Sequence, residues 1–179
     1  IPIPEFIAAI QEGDYKKSVD IIKTTNLLPA ICGRVCPQEK QCQSFCTVGK
    51  MFKSVDKSVA IGRLERFVAD WERNNNKITI PEAAPDTGKR VAVIGSGPAG
   101  LTVAADTRRA GHSVTVFEAF HKTGGVMVYG IPEFRLPKEI VAKEVKNLQK
   151  MGVEFKTNFL VGRTETLDQL QAALPELNI

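Results

Sequence analysis

The twelve residues from Lys89 to Gly100, KRVAVIGSGPAG, constrain this chain more than any other stretch. Val91 to Ile94 is a short apolar run suited to a buried parallel strand. Gly95, Gly97 and Gly100 then give G-x-G-x-x-G, and Pro98 opens a predicted helix that runs to Ala110 and stops at Gly111. In such a turn the first glycine permits the bend, the second lets backbone approach a pyrophosphate, and the third lets helix and strand pack closely. The helix N-terminus offers unpaired N–H groups and a positive dipole end to the phosphates. Glycine spacing alone is a weak signal, because glycine-rich turns are common. Its context here is complete: a second strand, Val114 to Phe117, ends at Glu118, 23 residues after Gly95. A carboxylate at that point accepts hydrogen bonds from ribose hydroxyls.

The residues after the second strand bear on which dinucleotide is held. An NADP site places a basic residue there to meet the 2′-phosphate. This chain has Glu118-Ala119-Phe120, and Lys122 reads as solvated surface. Gly124-Gly125 follows six residues after Glu118, a spacing closer to FAD sites than to NAD sites. FAD is the expected nucleotide.

Around this unit the pattern alternates. A helix from Pro137 through Val141, Val145 and Leu148 to Met151 is followed by alternating Val153, Phe155, Thr157 and Phe159, which predicts a strand. Thr166 can cap a final helix bearing Leu167, Leu170 and Leu174, with no further strand expected. Upstream, Pro4 to Ile10 predicts a short helix, and Asp14 can cap a second one through Lys23. Residues 29–50 read as loop. From Ser58 a further helix is expected, its buried face carrying Leu64, Phe67, Val68 and Trp71. Pro81-Glu82-Ala83-Ala84-Pro85-Asp86-Thr87-Gly88 reads as a linker. The expected architecture is a two-part α+β chain: a helical, cysteine-bearing part over 1–80, a linker over 81–88, and a Rossmann-like α/β part over 89–179.

Composition excludes several classes. The chain is 43% hydrophobic and 25% charged, as ordinary globular domains are. Its net charge of +4, from 24 basic and 20 acidic residues, is a mild excess. No basic stripe with aromatic platforms is visible, so no nucleic-acid partner is expected. No apolar run approaches the roughly 18 residues of a membrane span, and the first residues lack a signal-peptide pattern. A cytoplasmic protein with no membrane contact is the expectation. His112 and His121 read as surface residues, and no Ser/His/Asp set or spaced carboxylate pair appears.

The four cysteines, Cys32, Cys36, Cys42 and Cys46, fall within 15 residues. In a chain without a secretory signal this clustering favours metal or cluster binding over disulfides. Zinc sites usually separate two C-x2-4-C pairs by 12 or more residues, whereas here five residues separate the pairs. Iron–sulfur clusters tolerate closer, uneven spacing, and Cys36-Pro37 is a familiar companion of a cluster ligand. Spacing favours Fe–S over zinc. A nucleotide- or partner-binding module with a structural zinc site is the alternative.

The stretches ICGRVCP (31–37), IGRLE (61–65), GSGPAG (95–100) and YGIPEFRLP (129–137) resemble the glutamate synthase small (β) subunit family, together with Cys42 and Cys46. Relatives of that family include the large subunit of NADH-dependent ferredoxin:NADP oxidoreductase and the N-terminal region of dihydropyrimidine dehydrogenase. The resemblance covers nearly the whole chain. It implies a helical iron–sulfur domain followed by an FAD domain into which an NAD(P)H domain is inserted. Electrons would pass from NAD(P)H through FAD and [4Fe–4S] clusters to a large glutamate synthase-type or other acceptor subunit, as in glutamate formation from glutamine and 2-oxoglutarate. By resemblance, Cys36 and Cys42 ligate one cluster with Glu65 as a non-cysteine ligand, Cys46 belongs to the other, and Cys32 is not a usual ligand. Read without the family, Glu65 is an exposed helix carboxylate. The resemblance further assigns Gly95, Ser96, Gly97, Pro98, Ala99 and Gly100 to the pyrophosphate turn and Glu118 to the ribose. It sets Gly124, Gly125 and Val126 near the flavin, Arg135 against the cofactor and Val161 at the adenine. Family members carry a cysteine-rich segment ahead of the stretch matching Ile1 to Phe6, and a second glycine-rich motif is not found after Val161. The expectation is a partial cluster domain plus the first part of an FAD domain.

Overall fold

The computed structural model describes residues 1–173 and 177–178, which divide into two compact units, Ile1–Ile78 and Thr79–Ile179. The first is helical. Helix α1 (Ile3–Gln11) and helix α2 (Tyr15–Lys23) are joined at Asp14, whose carboxylate accepts from Lys17 N–H at 2.9 Å as a helix cap. Phe6, Val19 and Ile22 from this pair pack with Ile61 and Val68 of the long helix α5 (Ile61–Asn74).

The cysteine segment is not the expected loop. Helix α3 (Pro29–Val35) is followed by 3-10 turns at Gln38–Lys40 and Cys42–Phe45, then by helix α4 (Thr47–Met51). Pro29 and Gly33, which suggest a break, both suit this helix. Pro29 stands in its first turn, where no N–H is needed. A Cβ built on Gly33 would lie 2.7–2.9 Å from Arg66 backbone and Cβ atoms, so glycine is what lets α3 approach α5.

The buried face of α5 is also displaced from the expected one. Ile61, Gly62, Glu65, Val68, Ala69 and Glu72 are buried, whereas Phe67 is exposed and stacks edge-on with Tyr15, ring centroids 5.2 Å apart. Two glutamates enter this face because each has a partner. Glu72 accepts from Lys23 Nζ at 2.6 Å, and Glu65 accepts from Asn26 Nδ2 at 2.7 Å.

The second unit is built on a four-stranded, wholly parallel sheet of order β3-β2-β1-β4. Strand β1 (Arg90–Ile94) leads through the glycine turn into helix α6 (Pro98–Arg109), which returns to strand β2 (Ser113–Phe117). A short helix α7 (Val126–Tyr129) and helix α8 (Lys138–Lys150) lead to strand β3 (Val153–Lys156). The expected strand therefore stops before Thr157. Phe159 has left the sheet but packs on Phe117, with ring centroids 4.8 Å apart. Thr166 and Gln169 cap helix α9 (Leu167–Ala173) reciprocally, while Leu174 lies outside the described residues. A two-residue strand β4 (Leu177–Asn178) then pairs with β1, where none was expected: two residues are too few to show alternation. The order in which strands are laid down thus reverses beside β1, and Ile94, Phe117 and Lys156 stand in register at the C-terminal edge. Parallel sheets bind ligands at that edge, beside the reversal point.

Candidate functional site

Immediately beyond Ile94 the backbone turns at Gly95, whose φ of +93° suits glycine. A Cβ built on Gly95 or Gly97 meets nothing within 4 Å, so both face open space in front of the α6 N-terminus. A Cβ on Gly100 would instead collide with the Gly95 carbonyl oxygen. The three glycines therefore divide as the motif requires: two open a cradle, and the third lets helix and turn touch. Pro98 and Ala99, at the rim, are exposed.

Glu118 is 4% exposed, and its carboxylate is directed back into the turn. One oxygen accepts from Ser96 N–H at 2.9 Å and from the Ser96 hydroxyl, and the other accepts from Phe120 N–H at 2.9 Å. The Ser96 hydroxyl, fully buried, in turn accepts from Gly124 N–H at 2.9 Å. Burial works to raise the Glu118 carboxyl. The donors from Phe120, Ser96 and Ala119 outweigh it and hold the group below its ordinary value. Gly125, at φ +52°, comes so close to the turn that its Cβ would stand 2.9 Å from Gly97 Cα. The glycine turn, the end of β2 and the Gly124-Gly125 bend thus form one hydrogen-bonded body with the cradle in it.

The remaining candidates lie around this body. Val126 begins α7 and is exposed. Arg135 is exposed on the loop before α8, its N–H donating to the Pro132 carbonyl at 3.0 Å. Val161 is partly buried against the Ala92, Phe117 and Leu170 cluster. Tyr129, which spacing did not single out, stacks with Phe120, and its hydroxyl accepts from Lys122 N–H of the same loop at 2.9 Å.

In the helical unit all four thiols are free. Glu65, 4% exposed rather than solvated, lies within electrostatic reach of Cys32 and Cys42, which also sense Cys36. Burial pushes Glu65 up to about 7 against the opposing hydrogen bond from Asn26, and pushes the Cys32 thiol up to about 12. Asn26 links the two, donating to Glu65 and accepting from Cys32 Sγ at 3.5 Å. Cys46 has other neighbours. Its thiol is lowered by the backbone of Gly49, Val59 and Val48 and by the Ser58 hydroxyl. Among the described residues, no three Cys, His, Asp or Glu side chains stand in metal-binding geometry. No described helix is long and apolar enough to cross a membrane.

Comparison with known families agrees with both halves. Residues 1–77 match the family model described as dihydropyrimidine dehydrogenase domain II, 4Fe-4S cluster, and residues 93–137 match that described as NAD(P)-binding Rossmann-like domain. Over 94% of its length the chain is 42% identical to the NAD-dependent dihydropyrimidine dehydrogenase subunit PreT of Escherichia coli (strain K12), covering 40% of that protein. It is 37% identical, again over 94% of its length, to the glutamate synthase [NADPH] small chain of Azospirillum brasilense, covering 34% of it. The corresponding small chain of Bacillus subtilis (strain 168) is 39% identical over the same share, with 33% covered. The chain therefore spans about two fifths or less of these relatives, and over nearly its whole length it is similar to the glutamate synthase small chain and the PreT subunit.

Proposed function

We propose that this chain is part of an electron-transfer flavoprotein subunit that passes electrons from NAD(P)H through FAD and [4Fe–4S] clusters to an acceptor. The acceptor is a large glutamate synthase-type subunit or another partner chain, and the protein works in the cytoplasm. The observation that carries this reading is the open cradle at Gly97, set before the α6 N-terminus and flanked by Glu118 and Gly125. Its shape suits a pyrophosphate: backbone is bare where the phosphates must lie, and the helix end supplies N–H groups. Gly95, Ser96, Gly97, Pro98, Ala99 and Gly100 would hold the pyrophosphate, and Glu118 the ribose end. Gly124, Gly125, Val126 and Arg135 would hold the flavin end, with Val161 at the adenine. Bound FAD supplies the exchange between hydride and single electrons, and the protein supplies binding and orientation.

The cysteine segment fits the cluster half of the reading by its donor chemistry. Cys36, Cys42 and the buried Glu65 are electrostatic neighbours, while Cys46 stands among other groups. Cys32 shares that neighbourhood, so the choice of Cys36, Cys42 and Glu65 as donors to one cluster, with Cys46 as a donor to a second, follows the family resemblance.

The test is reconstitution of the purified chain with FAD, with metal analysis on the same sample. FAD binding to the wild type but not to Gly97→Val, together with iron in place of zinc, is the expected result. Equal FAD affinity in both proteins overturns the nucleotide assignment. Stoichiometric zinc overturns the cluster assignment.

A further inference from the structure

We propose that Lys138 is a positioning residue that clamps residues 127–136 into a preformed wall for the flavin ring; this rests on the FAD reading above. Lys138 opens α8, and its ammonium donates to three backbone carbonyls: Met127 at 2.9 Å, Leu136 at 3.3 Å, and Ile131. An ammonium has three protons and no acceptor, so three carbonyls satisfy it completely. Its own N–H meets both carboxylate oxygens of Glu133, at 3.2 and 3.3 Å. One residue thereby fixes the loop near its start, its middle and its end.

The clamped loop is built inside out. Leu136 and Met127 are fully buried beneath it, whereas the aromatic ring of Phe134 is 91% exposed. The Arg135 and Leu136 amides both donate to the Pro132 carbonyl at 3.0 Å, so the turn that presents Phe134 is itself closed. A single exposed apolar side chain is ordinary. An aromatic held out by a part-buried clamp is different, because ordering the loop costs entropy that burial of the ring does not repay. Val126 and Tyr129, also exposed, precede it on α7, which follows Gly125, set against the Gly97 cradle. An apolar, partly aromatic segment leading away from a pyrophosphate cradle fits a planar, largely apolar ring at one end of the dinucleotide. Arginine would not replace Lys138, since its planar fork cannot converge on three carbonyls.

The experiment compares two ligands on one protein. ADP occupies the cradle without the ring, whereas FAD reaches the proposed wall. Lys138→Met keeps the side chain's length and removes every donor. It should weaken FAD about tenfold, equivalent to ~1.4 kcal/mol, and leave ADP affinity unchanged. Phe134→Ala, at an exposed site that folding does not use, should show the same selectivity. Hydrogen exchange of the Ile131, Arg135 and Leu136 amides should be slow in the wild type and fast in Lys138→Met, with β1 amides unaltered. Equal loss of ADP and FAD in Lys138→Met would mark a general folding role and overturn the proposal. So would FAD affinity unchanged in Phe134→Ala, or wild-type loop amides already exchanging freely. Failure of the FAD reading looks different: the wild type then binds FAD no better than ADP, while the exchange pattern of the clamp persists.

Discussion

Ser96 and Glu118, 22 residues apart in sequence, are joined twice, through the Ser96 N–H at 2.9 Å and through its hydroxyl. The same hydroxyl accepts from Gly124 N–H at 2.9 Å. One buried oxygen therefore ties the phosphate turn to the end of β2 and to the bend that approaches Gly97. Ser96→Ala should leave Gly124 N–H without a partner and remove one donor from Glu118. An orphaned buried donor costs about 1–3 kcal/mol, so an unfolding free energy lowered by that amount is expected, read as a lower denaturant midpoint at unchanged slope. An unchanged midpoint would show that the hydroxyl is dispensable.

Glu118 makes the stability of this unit sensitive to acid. Its folded carboxyl sits below the ordinary value of 4.5 because the surrounding donors prevail over burial. In the unfolded chain the group takes up its proton first as pH falls. Its contribution is therefore fully present above about 4.5 and is lost as pH drops through the lower, folded value. Unfolding free energies measured from neutral pH downward should show the wild type converging toward Glu118→Gln below pH 4.5. Two curves that stay parallel through that range would contradict the assignment.

What could be read from sequence follows the range of the interactions. The Val91–Ile94 and Val114–Phe117 runs and the glycine spacing are local signals, and the βαβ unit stands where they place it. The helical cysteine segment is not locally encoded, because Gly33 serves as a contact point for a helix 33 residues away at Arg66. Burial of Glu65 and Glu72 rests on partners 39 and 49 residues distant, Asn26 and Lys23, and no periodicity announces such a pair. Lys138 was invisible for the same kind of reason: its partners are backbone carbonyls, which every residue has.

The cysteine segment predicts a divided iron site. Two [4Fe–4S] clusters with one ligand per iron need about eight donors, and this sequence offers four cysteines plus Glu65. Residues 1–179 expressed alone should hold well under eight irons and show no NAD(P)H-driven dye reduction. In the full-length protein, Glu65→Ala should perturb one cluster's EPR signal and spare the other. Arg66→Ala, whose side chain is 55% exposed, should disturb neither. Eight irons in the short chain, or two signals altered together by Glu65→Ala, would be inconsistent with the division.

Gly97 and Gly100 separate binding from folding within one motif. Gly97 has φ −65° and ψ 179°, values open to any residue, and a Cβ there meets nothing within 4 Å. Gly97→Val should therefore fold almost normally, within the ~0.5 kcal/mol typical of unobstructed surface changes. Its branched side chain would fill the space a pyrophosphate needs, so calorimetric titration should detect no FAD or ADP binding. Gly100 is the reverse case. Its Cβ would strike the Gly95 carbonyl, which cannot give way without moving the turn away from α6. Gly100→Ala should destabilise the unit by about 1–3 kcal/mol, as overpacking does, and weaken binding only by displacing the cradle. Stability measured beside affinity distinguishes the two: loss of binding with a normal melting curve belongs to Gly97→Val, and loss of both to Gly100→Ala. A Gly97→Val protein that is unfolded, or that binds nucleotide as the wild type does, would remove the cradle as the seat of the phosphates.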